Sequence, residues 1–220
     1  MNAERATRRF FATDPGSLAK KLIGQTLVRV LDDGTRLAGI IVETEAYLGQ
    51  RDKAAHSYKL HRSARNEPMY APPGTAYVYF TYGMHHCFNV VAGAIDEPVA
   101  VLIRALEPQE GESLIRLNRS RGDERRRENL RISDLCSGPG KLCQALHIDR
   151  SLNGVDLAMD PRLFILRTKT RRVADTKLTN TVRVGIDSAG DWKNRRLRWY
   201  LTASPHVSVR KGQNPRRQPV

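Results

Sequence analysis

QTLVRVLDDGTRLAGIIVETEAY, residues 25–47, decides the fold. Two runs of aliphatic and β-branched residues flank Asp32-Asp33-Gly34, a sequence suited to a tight turn, so the stretch predicts an antiparallel hairpin. The second run ends in two glutamates, Glu43 and Glu45, and a tyrosine, followed by Gly49. On an ideal strand residues two apart share a face, so the two carboxylates share one. Two readings of them stand side by side: solvent-facing trim on a hairpin, since Glu is rarely buried, or a general base at a strand end. The pattern alone does not say which glutamate is buried.

Outward from the hairpin, TAYVYFTYG and HHCFNVVAG predict a second pair of strands and PVAVLIRALEP a third. LFILRT, TVRVGI, LRWYLT and HVSVR predict further short strands. SLAKKLIG (17–24) predicts a helix capped by Ser17 and stopped at Gly24. GESLIRLNRS and the segment after Ser-Gly-Pro-Gly predict two more, while RGDERRREN reads as charged surface. Residues 51–73 form a polar connection without a period, long enough to suggest a functional loop. Strands predominate, helices are interspersed without strand–helix alternation, and neither repeat nor linker divides the chain. The expectation is a single compact α+β domain over 17–209, with a flexible arm at 1–16 and a basic, disordered tail at 210–220.

The 220 residues suffice for one substantial core. No apolar stretch is long enough to cross a bilayer, and MNAERATRRFF lacks the apolar region of a secretory signal, so a cytoplasmic protein without membrane association is expected. Cys87, Cys136 and Cys143 are too few and too widely spaced for a disulfide framework or a zinc knuckle, which leaves reduced, buried thiols. The 37 basic against 23 acidic residues give a formal charge of +14. That excess favours an anionic partner, nucleic acid before membrane. The pair His85-His86 beside Cys87 could suggest a metal, but neighbours on a strand point to opposite faces. No metal is expected. Tyr77 and Tyr79 fall on one strand face, with Tyr82 beside Gly83. They read equally as ordinary sheet residues or as surfaces for stacking and wedging into nucleic acid.

The blocks VETEAYLG, DKAAHS, PGTAYVYFTYGMHHCFNV, VLIRALEP, LCSGPGKLCQAL and RVGI..AG.W, in that order over about 17–209, resemble the alkyladenine (3-methyladenine) DNA glycosylase family. The resemblance implies a mixed α/β domain around a curved antiparallel sheet with peripheral helices. It implies a monomeric, monofunctional enzyme, without metal or organic cofactor. Such an enzyme flips alkylated or deaminated purines (3-methyladenine, 7-methylguanine, ethenoadenine, hypoxanthine) from double-stranded DNA and leaves an abasic site. It would act at the nucleoid of a bacterium or in a eukaryotic nucleus.

Carried over position by position, the resemblance makes Glu45 the group that activates water, with Glu43 its rival. Arg104 would hold that water and a backbone phosphate. Tyr47 on one side, with His56 and Tyr79 on the other, would sandwich the flipped base, and Asn89 would crowd purine C2 and so disfavour guanine. Tyr82 would be the wedge that fills the vacated stack. Met69 would touch DNA. His85 and His86 depart from the family, where aromatics stand, and His85, close behind the wedge, is a phosphate-contact candidate; charge alone adds Arg195, Arg196 and Arg198. Two rivals remain open: a Schiff-base enzyme using Lys53 or Lys59, and a non-catalytic basic module that recognises distorted DNA.

Overall fold

The computed structural model of the chain describes residues 3–81, 83–168 and 173–210. The hairpin forms as the sequence predicts. β2 (Thr26–Val30) and β3 (Arg36–Tyr47) pair antiparallel across the Asp-Asp-Gly turn. They lie inside one mixed sheet-and-helix domain, whose open antiparallel sheet follows the order β1-β7-β2-β3-β6-β5-β4. Its other strands are β1 (Ala3–Arg5), β4 (Ala76–Thr81), β5 (His85–Val91), β6 (Ala100–Glu110) and β7 (Leu163–Thr168). β8 (Leu178–Thr181) pairs with β9 (Arg198–Leu201), which joins the far half of β3 at Glu43–Glu45.

The long strand β3 therefore has β2 beside its first half, β9 beside its second and β6 along its other edge. Helices α2 (Pro15–Leu22) and α5 (Pro139–Ala145) cover the sheet, with α3 (Glu112–Ser120) against α5. Leu18, Leu22, Leu142 and Leu146 interlock with Ile41, Phe88 and Ile103, all without exposed surface. Covered on both faces, β3 is buried from Leu37 to Ala46. That burial overrides the half-exposed hairpin reading of its glutamates.

Three local expectations are corrected. The helix at 17–24 begins at Pro15, because Asp14, not Ser17, is the cap: its carboxylate accepts from Ser17 N at 2.9 Å. Residues 3–16, expected as a flexible arm, are packed: β1 pairs with β7, and a short helix α1 (Arg8–Phe11) buries Phe11. The Phe11 ring lies where a Cβ on Gly74 would come within 2.5 Å, so glycine at that positive φ admits the ring. TVRVGI and HVSVR are not strands beyond Thr181; both leave the sheet and fold toward β3. The charged RGDERRREN segment lies at the surface as expected, and it carries a short exposed helix α4 (Glu124–Asn129), capped by Asp123. The tail 211–220 lies outside the described residues, and Arg210, counted with it, donates to the carbonyls of Thr202 and Ser204.

The 51–73 connection is compact rather than loose. It is made of short 3-10 turns, held where the buried Asn66 amide donates to the His56 and His61 carbonyls at 3.0 and 2.8 Å. Its exit from β3 needs Gly49: at φ +70° a Cβ would meet Pro98 O at 2.9 Å. The loop thereby turns back beside the strand ends and carries His56 to them. Among the described residues, no helix is long and apolar enough to cross a membrane.

Candidate active site

Two irregularities in the β3–β6 ladder set the site. Ile41 faces Leu106 and Glu43 faces Ala105, but Thr44 already faces Ile103, which leaves Val42 on one strand and Arg104 on the other without a cross-strand partner. Bulges of this kind re-aim side chains. Here Arg104 lies between the two carboxylates of the facing strand, its Nε 3.0 Å from Glu43 Oε1 and its Nη1 3.3 Å from Glu45 Oε2. The arginine on an apolar strand has the acidic partners its burial requires.

The two glutamates are both fully buried, yet their surroundings differ. Glu43 is enclosed by donors: Arg104, Arg198 Nη1 at 2.6 Å, Ser208 N at 2.7 Å and Ser208 Oγ at 2.9 Å. Burial opposes its charge, but the Arg104 and Arg198 guanidinium groups and the hydrogen bonds from Ser208 and Arg198 together hold its pKa below the usual carboxylate value. Glu45 receives Val184 N at 2.8 Å on Oε1 and Tyr47 Oη at 3.0 Å on Oε2. Both donors, and Arg104, also line the neighbouring cavity. Burial, followed by the charge of Glu45, raises the Tyr47 pKa well above its ordinary value, so its phenol remains the donor. For Arg104, burial works against the cation, and Glu45 and Glu43 together outweigh it and keep the guanidinium charged.

The cavity measures about 280 Å³, near the lower end of small-ligand sites. Tyr47, His56, Tyr77 and Tyr79 wall it, together with Met69, Asn89 and Arg104. The His56 ring meets Tyr79 edge-on at 4.5 Å between centroids, and its Nδ1 lies 2.7 Å from Tyr77 Oη. His56 keeps an exposed rim, but desolvation of its ring, then Arg65 and His61, lowers its pKa, so the imidazole is neutral at pH 7. Burial pushes Tyr77 up to about 12. Asn89 is oriented by donating to Tyr77 O at 3.0 Å. Among the described residues no lysine lines the cavity, and Lys53 instead lies against Gly190. These features suit a flat, largely apolar ligand held between rings, with a buried carboxylate–arginine network at its side.

Of the residues singled out from sequence, Arg104, Tyr47, His56, Tyr79, Asn89 and Met69 line this cavity, and Glu45 is joined to it through Tyr47, Val184 and Arg104. Met69, expected at a DNA surface, is only 2 % exposed and packs with Tyr70, Tyr77, Val91 and Ala100, so it contributes to the cavity wall instead. Arg198, another expected surface contact, is buried and spent on Glu43 and the Val182 and Val209 carbonyls. Arg195 and Arg196 are exposed, Arg195 stacked over Trp192 at 4.0 Å and Arg196 donating to Asn180 O. His85 is partly covered, its ring against Gly140, and it lines a different hollow from this cavity. Tyr82 lies outside the described residues. Cys87, Cys136 and Cys143 are all buried free thiols.

Sequence reasoning passed over Asp52, Arg183, Val184 and Ser208. DKAAHS, which begins at Asp52, and RVGI, which begins at Arg183, are both part of the resemblance, but it attaches no role to these residues. Their importance arises from partners over a hundred residues away.

The sequence model of the methylpurine-DNA glycosylase (MPG) family matches residues 9–205. A DNA-3-methyladenine glycosylase of Mus musculus is 45% identical over 204 residues, which cover 91% of this chain and 60% of the mouse protein. Proteins named as 3-methyladenine DNA glycosylases in Clostridium botulinum (strain Langeland) and Desulfitobacterium hafniense (strain Y51) are 43% and 44% identical. Each is matched over its whole length and over 94% of this chain. With the cavity, its carboxylate–arginine network and this match over nearly the entire domain, the chain belongs to the methylpurine-DNA glycosylase family, hydrolases of DNA repair.

Proposed function

We propose that this protein is a monomeric, monofunctional base-excision glycosylase of damaged duplex DNA. It flips alkylated or deaminated purines (3-methyladenine, 7-methylguanine, ethenoadenine and hypoxanthine) into the ring-lined cavity and hydrolyses the N-glycosidic bond. It would act wherever the cell keeps its DNA, the nucleoid or the nucleus. The observation that carries the reading is the asymmetry of the two buried carboxylates. Glu43 is enclosed by cations and donors, whereas the partners of Glu45 line the cavity.

In this mechanism a water beside Glu45 attacks C1′ of the flipped nucleotide. The C1′–N bond breaks, its electron pair leaves with the purine, and the water's proton passes to the Glu45 carboxylate as the new C1′–O bond forms. The same carboxylate stabilises the positive sugar as the bond lengthens, while Arg104 holds its orientation. Tyr47, His56 and Tyr79 supply faces that accept many purines. Tyr82 would take the space left in the stack. A test is incubation of the protein with duplexes carrying hypoxanthine, ethenoadenine or 3-methyladenine. Free base and alkali-labile abasic sites are expected, without borohydride-trapped enzyme. Lesion binding with no base release would favour the non-catalytic module.

Asn89 is assigned the exclusion of guanine, since its side chain lines the cavity wall and is fixed by Tyr77 O. Asn89→Ala is expected to raise guanine release from a mismatch relative to hypoxanthine release by roughly tenfold, the scale of one small steric group in a pocket. Equal discrimination by the variant and the parent would place the gate at another residue.

The excess of basic residues is assigned to phosphate contact, with Arg195 and Arg196 the exposed candidates on the described surface. Affinity for any duplex should therefore fall steeply with salt, log K changing linearly with log salt at a slope of about −0.9 per phosphate contacted. Arg195→Gln with Arg196→Gln should flatten that slope by up to about 2 and leave lesion preference unchanged. A salt-independent affinity in the parent removes the electrostatic assignment.

A further inference from the structure

Behind the proposed base site lies an ion pair that the reaction scheme does not use. Asp52 and Arg183 are both fully buried and meet in a two-pronged contact, Arg183 Nη1 to Asp52 Oδ2 at 2.5 Å and Nη2 to Oδ1 at 2.9 Å. Each partner has further duties directed at the cavity walls. Asp52 also accepts Leu48 N at 3.1 Å and Ala54 N at 3.0 Å, which ties the end of β3 to the loop that carries His56. Arg183 also donates to Ala46 O at 3.0 Å, between Glu45 and Tyr47 in the chain. Its guanidinium carbon stands 4.7 Å from the centroid of the Tyr47 ring. The next residue, Val184, carries the N–H bound to Glu45 Oε1.

We propose that the Asp52–Arg183 pair is a positioning clamp that sets the tilt of Tyr47 and the place of Glu45 relative to the loop bearing His56. The proposal rests on the glycosylase reading of the cavity and adds two residues that act through others rather than on the substrate. Burial of two charges contributes little net stability even when they are well paired, and Arg183 Nε is buried without a partner, which is a further cost. Bulky apolar residues would hold the same segments together without either cost. Only a planar, forked cation gives both a two-pronged contact to one carboxylate and a flat surface for a ring. A lysine in its place would keep the charge and lose both.

The test compares Asp52→Asn and Arg183→Lys with the parent protein on a hypoxanthine duplex and on an ethenoadenine duplex. Single-turnover excision is expected to fall by roughly 100-fold, the effect of an ångström-scale misplacement of reacting groups. Duplex affinity is expected to stay within about threefold of the parent, because phosphate contacts supply most of it. The fluorescence change of ethenoadenine on entering the cavity should be reduced in both variants, a signature that loosened packing elsewhere would not produce. Folded variants that excise within threefold of the parent, with the parental fluorescence change, overturn the proposal. So does failure of both variants to fold, which would make the pair a folding element. An inactive parent protein would instead overturn the glycosylase reading itself.

Discussion

Glu45→Gln is expected to leave a folded, lesion-binding protein whose base release falls by at least about 100-fold, up to 10⁴-fold, the range for loss of a general base. The amide has the same shape, so its oxygen can still accept from Val184 N, and Arg104 keeps Glu43 as a charged partner. What disappears is the ability to take a proton from water and the negative charge facing the developing positive sugar. Single-turnover excision of hypoxanthine, with binding measured separately on the same duplex, distinguishes the two losses. Excision within a few-fold of the parent would mean that the reacting carboxylate lies elsewhere.

Glu43→Gln should fail in the opposite way. Its carboxylate is shared by Arg104, Arg198 and two donors of Ser208, with no exposed surface. A neutral amide there presents an N–H group to donors and leaves two buried guanidinium groups short of countercharge. Loss of one partner of a buried pair costs about 3–5 kcal/mol, which corresponds to a fall in melting temperature of roughly 6–20 °C for a domain of this size. The same network predicts acid sensitivity. Because the folded pKa of Glu43 is depressed below its ordinary 4.5, its contribution is fully present above about pH 4.5 and is lost as pH falls through the lower, folded value. Thermal melts between pH 7 and pH 3 should show that loss in the parent and a weaker dependence in the variant. A Glu43→Gln protein as stable as the parent but inactive would reverse the roles assigned to the two glutamates.

The sequence by itself determined the hairpin, the single α+β domain and most of the side chains that gather at the cavity. Hairpins and short strands are governed by local chemistry: Asp-Asp-Gly turns the chain, and aliphatic runs on either side have few other uses. The glycosylase resemblance singled out Glu45 over Glu43, for the two are equivalent by alternation on one strand. Only the tertiary structure supplied a physical difference between them. A bulge opposite Arg104, the arrival of Arg198 and Ser208 on one carboxylate, and the backbone N–H of Val184 on the other are contacts over 61 to 165 residues of separation. No local pattern carries them.

The same distance explains the misread residues. Arg198 is a basic residue in a basic run and reads as surface, but its buried position follows from β9 pairing with β3. Met69 reads as a loop methionine, but the fold places it beneath Tyr77 and Ala100. Residues 3–16 read as an arm because they precede the first recognisable element, whereas two apolar groups, Ala6 and Phe11, anchor them in the core. Asp52 and Arg183 became visible only once the chain was closed upon itself. Period and composition record what a residue prefers; burial and partnership between distant charges are decided by which segments the whole fold brings together.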